Sequence, residues 1–226
     1  MPQNGQSSRP GPEGGSGFGA QPLAQTVAAA AAIRRLTGLL LSLERPHAAV
    51  DDLLARLPEW EAALAAAAPA DDSPRVGAAA AETQRIYLDH AYHIGSFNPC
   101  FPEYRFDRVD AETASGRVTF PLPYEGPPGL VHGGFLGVFF DCVTQQQNCA
   151  AGLAGKTRSL TVTYRRPTPL LTELRFDIQR SVGDRGIDST ARLMLDDTVL
   201  CTGVVTAVAA PPSALAGTRY GRRRTE

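Results

Sequence analysis

Asp141 stands inside a segment whose neighbours are nearly all apolar, "GPPGLVHGGFLGVFFDCVTQQQNC", Gly126 to Cys149. A helix beginning near Gly134 carries Phe135, Leu136, Val138, Phe139 and Phe140 on almost every side, so it belongs in a core. An ionised carboxylate is costly there unless it is paired or hydrogen-bonded, and half-buried acids concentrate at functional sites. Thr144, Gln145 and Asn148 follow at three, four and seven residues, which predicts one polar stripe shared with Asp141. The plainer alternative is a helix edge that reaches solvent. At the other end, "VHGG" puts His132, Gly133 and Gly134 where the chain turns into the helix. Free N–H groups at a helix start attract negative charge, and glycine lets a ligand approach the backbone. Nine residues along an ideal helix are about 13.5 Å. His132 and Asp141 of one chain therefore do not reach the same carbonyl. Either Asp141 is unrelated to the glycine turn, or a second copy brings its own.

Other reactive residue types form weaker constellations. His90 and His93 have helical spacing but no acidic or cysteine partner, so no metal and no cofactor is expected. Cys142 adjoins Asp141 but points about 100° away from it, as a core residue would.

The elements that would hold these groups can be read from composition and period. The chain has 226 residues, 43% hydrophobic and 20% charged, with a net charge of -1. That describes a globular chain without the basic bias of a nucleic-acid binder. Four cysteines without paired spacing point to a reducing, cytoplasmic setting, and Arg34 and Arg35 interrupt the only candidate membrane span. Residues 1–22 have the composition of a disordered tail. Residues 23–94 form a helical extension: Ile33, Leu36, Leu40 and Leu43 make one stripe, and Val50, Leu53, Leu54, Leu57, Trp60 and Leu64 make another beyond Pro46. This hairpin must bury its stripes, against the outer face of a sheet or the mouth of a channel. A shorter helix is expected over residues 78–92.

From residue 95 to 210 the period becomes that of strands. "EYRFDRVD" and "SGRVTFPL" alternate, with a turn expected close to Ser115 and Gly116. After the helix come "TRSLTVTYRRP", "ELRFDIQRSVG", "GIDSTARLML" and "TVLCTGVVTAVA", with "GDRG" and "DD" as hairpin turns. Two strands, a helix and four strands predict an α+β fold, one antiparallel sheet covered by one long helix. Residues 211–226 read as a basic, solvated tail.

"PPGLVHGG", Asp141 nine residues after the histidine, Thr157 sixteen after the aspartate, and "YRRPTPL" together resemble the hotdog-fold acyl-CoA thioesterases of the phenylacetic-acid-degradation (PaaI-like) and human thioesterase-superfamily type. The resemblance covers about residues 95–209. It implies an antiparallel sheet wrapped around one central helix, a homodimer or dimer of dimers joined edge to edge, and sites between subunits. Gly133 would offer its N–H to the thioester oxygen. Asp141 of the partner would act as general base or nucleophile, with Thr157 orienting the water or the carboxylate and His132 fixing the turn. Gly134, Gln145, Asn148 and Tyr124 would line the substrate, and Arg158, Arg165, Arg166 and Arg185 would meet coenzyme A phosphates. Gly126 stands where several members have an asparagine that assists at the carbonyl; Tyr124 is a replacement to be tested. The polar "TQQQN" run departs from the smaller residues common in the family. A hotdog hydratase or dehydratase, or a non-catalytic acyl-binding module, are the alternatives.

Overall fold

The computed structural model describes residues 24–67, 93–184 and 186–210. The expected tail 1–22, the helix 78–92, His90, Arg185 and the basic tail lie outside them. Two helices come first, α1 (Ala24–Leu41) and α2 (Ala48–Ala67), then a single-turn helix, α3 (Ile94–Phe97). Strands β1 (Tyr104–Val109) and β2 (Thr113–Thr119) precede a short 3-10 turn at Leu122–Tyr124 and the central helix α4 (Gly133–Ala150). Strands β3 (Ala154–Tyr164), β4 (Glu173–Gly183), β5 (Gly186–Leu195) and β6 (Thr198–Ala210) complete one antiparallel sheet, in the order β1-β2-β4-β5-β6-β3.

Alternation explains the sheet. In β4, Leu174, Phe176, Ile178 and Arg180 are buried while Arg175 and Gln179 between them are exposed; β5 repeats this with Ile187, Ser189, Ala191 and Leu193. The buried face packs on Phe139, Phe140 and Val143 of α4, all fully buried. Edge-on aromatic contacts knit the layers: Phe139 meets Phe120 at 5.6 Å and Phe176 at 5.4 Å. The sheet wraps one long helix, as a hotdog fold requires.

The turn of the first hairpin lies earlier than the composition implies. It is built on Asp110, whose carboxylate accepts from the Glu112 N–H at 3.0 Å and the Thr113 N–H at 2.7 Å. These bonds hold its pKa down to about 2. Ser115 and Gly116 lie inside β2 instead. A Cβ at Gly116 would fall 2.5 Å from the Phe176 ring, so this glycine serves close packing between neighbouring strands.

The amino-terminal hairpin is attached differently from its expected apolar docking. Its anchor is the buried Arg34, which donates to Glu103 Oε2 at 3.0 Å and to the carbonyl of Gly95. Ile33, Leu36, Leu39, Leu40 and Leu43 of this hairpin are exposed, and α2 buries no residue. Among the described residues no helix is long and apolar enough to cross a membrane.

Candidate active site

Helix α4 starts on His132. Its backbone is extended (φ -64°, ψ 131°), and its Nδ1 accepts from the Gly134 N–H at 3.0 Å, capping the helix. The His132 N–H donates to Tyr124 O at 2.9 Å, so the turn is held at both ends of this residue. Gly133 is the first helical residue, and its N–H has no partner among the described residues, as the opening N–H groups of a helix generally lack one within it. The Gly133 carbonyl accepts from the Tyr164 hydroxyl at 2.9 Å.

Gly133, Gly137 and Asp141 recur every four residues and share the face of α4 turned to β3. Opposite Gly133 stands Tyr164, opposite Gly137 stand Leu160 and Val162, and opposite Asp141 stands Thr157. The Thr157 hydroxyl donates to Asp141 Oδ1 at 2.5 Å. Strict alternation would put Thr157 on the opposite face from Leu160, Val162 and Tyr164. A bulge corrects the parity: Thr157 pairs with Ala207 and Ser159 with Thr206, leaving Arg158 as an extra residue. Thus the strand irregularity brings the hydroxyl to the carboxylate.

Two half-sites result, one at each end of this seam. The first surrounds Gly133, where Pro127, Leu130, Val131 and Leu136 face Tyr164 and Pro167 across an apolar groove of about 420 Å³. Arg165 and Arg166 line it and are exposed. The second is the half-buried Asp141 with the exposed Thr157. Eight residues of helix, about 12 Å, separate Gly133 from Asp141, so one chain does not bring them to one carbonyl. Among the described residues strand β3 pairs with β6 on one side only and is an edge of the sheet.

The remaining expected site residues divide. Gly134 is exposed beside the turn, Arg158 is exposed on the bulge, and Gln145 is half-buried with its amide toward Cys149 Sγ at 3.7 Å. The polar run after Asp141 does not form one stripe. Thr144 is buried and bonds back to Phe140 O at 2.9 Å, and Gln146 accepts from the Tyr104 hydroxyl at 2.7 Å. Gln147 donates to Asp110 O at 3.1 Å. Asn148 is buried and accepts from Arg180 Nε at 2.6 Å. These groups tie the end of α4 to β4 and to the first hairpin. Tyr124 is buried, with its hydroxyl directed to Pro99 O at 3.4 Å. Gly126 has a steric explanation: a Cβ there would lie 2.8 Å from His132 Cα, so this backbone has no room for the asparagine.

Cys142 is no nucleophile in this setting, because burial, then the Asp141 charge, push its pKa up to about 12. Among the described residues no three side chains group as metal ligands. Sequence reading missed Tyr164 as a member of the site; its place in "TYRRP", after a strand-like run, was the available signal.

No protein-family model matches the chain. Among solved structures, a thioesterase superfamily protein is similar at 25% identity and a TM-score of 0.66, over 84% of this chain and 98% of that one. A phenylacetic acid degradation-related protein of Ralstonia eutropha JMP134 is similar at 23% identity and a TM-score of 0.43, over 47% and 84%. A hypothetical thioesterase of Streptococcus pneumoniae TIGR4, solved with coenzyme A, is similar at 15% identity and a TM-score of 0.46, over 48% and 90%.

Proposed function

We propose that this chain, which shares the fold of a thioesterase superfamily protein, hydrolyses an acyl-CoA thioester at a site completed by two copies. The observation that carries the reading is the 2.5 Å bond from Thr157 to Asp141 on a helix whose first residue, Gly133, offers an N–H with no partner among the described residues. The acyl group lies in the groove beside Gly133, with its thioester oxygen on that N–H. The second copy supplies Asp141 to the same carbonyl. As a base, it takes a proton from water while the water oxygen bonds to the carbonyl carbon; as a nucleophile, it attacks directly and water then opens the anhydride. In either course the C–S bond breaks and the thiolate leaves. A thiol pKa of roughly 8.5 makes that departure easy without a dedicated acid. Thr157 donates to one carboxylate oxygen and directs the other at the reaction. His132 shapes the turn through its cap, and Arg158, Arg165 and Arg166 present positive charge to the coenzyme A phosphates. A non-catalytic acyl-binding module would have no use for the Asp141–Thr157 pair.

The test is free-thiol release from a panel of acyl-CoAs. Asp141→Asn should lower kcat by about 10²–10⁴-fold, the usual range for a lost acid–base group, with an unchanged melting profile. Unchanged turnover would remove Asp141 from the chemistry.

A further inference from the structure

Helix α1 buries two residues, Ala30 and the charged Arg34, so it is not held in place as a core helix is. It rests on α3 and on the 3-10 turn at Leu122–Tyr124. The Arg34 guanidinium reaches the loop that starts with α3. It donates to Glu103 Oε2 at 3.0 Å, to the Gly95 carbonyl, and at 3.4 Å to the Asn98 and Phe101 carbonyls. That loop is folded tightly on itself, since a Cβ at Gly95 would lie 2.0 Å from Pro102 O. One buried side chain therefore grips residues 95–103 as a unit, through bonds strengthened by its charge.

The same loop is tied to Tyr124. This side chain is 1% exposed, its hydroxyl donates to Pro99 O at 3.4 Å, and its ring meets Phe135 of α4 edge-on at 4.9 Å. Burial raises the Tyr124 pKa, and the Arg34 guanidinium beside the hydroxyl opposes that rise. The Tyr124 carbonyl in turn accepts the His132 N–H at 2.9 Å, directly before Gly133. Two consecutive glycines, Gly133 and Gly134, give this turn a backbone with few preferences of its own, so its geometry comes from its supports. An N–H that stabilises a developing oxyanion has to be fixed before the reaction begins. We propose that Arg34 is a positioning residue for the thioester site: through the loop and Tyr124, α1 holds the His132 turn and hence the Gly133 N–H in place. This rests on Gly133 being the donor to the thioester oxygen. The amino-terminal helix is then a brace for the catalytic turn, built outside the sheet.

Hydrogen–deuterium exchange on the full-length chain, without ligand, reads the brace directly. Arg34→Met keeps an unbranched stem and removes every donor. Exchange should quicken over residues 24–41 and 94–103 and also over 122–135, while residues 187–193 of β5 stay as protected as in the wild type. In acyl-CoA hydrolysis kcat should fall about ten- to a hundredfold, the scale of cost of a misplacement approaching 1 Å, with KM within about threefold. Arg34→Lys keeps the charge with fewer donors and should show both effects in smaller measure; it decides the matter if Arg34→Met does not fold. Ile187→Val removes a methylene from the fully buried face of β5. It should lower the melting temperature and leave kcat and residues 122–135 unchanged. Faster exchange confined to residues 24–41 and 94–103, a rise in KM alone, or an equal kcat loss in Ile187→Val would each overturn the proposal. A wild-type chain that releases no thiol from any acyl-CoA would instead end the hydrolase reading, and the exchange arm would still decide whether Arg34 holds the His132 turn.

Discussion

Thr157 touches Asp141 across sixteen residues of sequence, and the contact is made by one hydroxyl on one carboxylate oxygen at 2.5 Å. A hydrogen bond to a charged group is worth about 1.5–3 kcal/mol, which corresponds to roughly ten- to a hundredfold in rate when it acts in the transition state. Thr157→Val keeps the branched shape and removes the donor. Steady-state kinetics should show kcat down by that factor with KM within about threefold, because ground-state binding does not use the hydroxyl. A rise in KM alone would make Thr157 a binding group. Asp141 was conspicuous in the sequence because an acid among phenylalanines needs a reason. Its partner Thr157 was named through the family pattern; alternation by itself would have turned it away, since the Arg158 bulge that reverses parity leaves no compositional mark.

At the scale of elements, the strands and α4 were legible because their periods are clean, and the pairings Gly183 with Gly186 and Leu195 with Thr198 close the hairpins where the turn residues put them. The β1–β2 turn and the anchor of α1 were not legible. Both depend on tertiary partners: Gly116 on the Phe176 ring, and Arg34 on carbonyls more than sixty residues away. The anchor segment also carries a titratable weak point. His93 stacks on Tyr104 at 3.9 Å and its Nε2 accepts from the Tyr104 N–H at 2.6 Å. Burial, then the neighbouring Arg34 charge, lower its pKa from 6.5 to about 4. The folded state therefore resists protonation that the unfolded chain accepts between those values. This contribution to stability is complete above pH 6.5 and is lost as pH falls toward 4. The melting temperature should drop across that window, and His93→Gln should flatten the drop; an identical slope in the variant would place the titration elsewhere.

For the whole molecule, the decisive question is whether Gly133 and Asp141 of different copies meet. Two inactive variants, Gly133→Pro and Asp141→Asn, can be co-refolded. Proline suits the backbone of the first helical position, where the N–H has no partner among the described residues and His132 is extended as a following proline requires; its Cβ would lie 3.0 Å from the hydroxyl of the exposed Tyr164, which must shift. Random pairing makes about half the dimers mixed, each with one intact site, so about a quarter of the wild-type rate should return. Activity remaining at the level of the separate variants, with mixed dimers demonstrated by mass, would exclude a shared site.

Helix α4 then has a mechanical consequence. It is a single rod of eighteen residues with the Gly133 N–H at its first position and the Asp141 carboxylate two turns on. In the proposed two-fold assembly these two groups would serve different catalytic centres, so the rod would connect the two like the beam of a balance. There, any axial shift that moves Gly133 at one centre would move Asp141 at the neighbouring centre by the same distance. Rate against acyl-CoA concentration should accordingly depart from a hyperbola, with a Hill coefficient different from one, and the mixed dimer with its single intact centre should return to simple saturation.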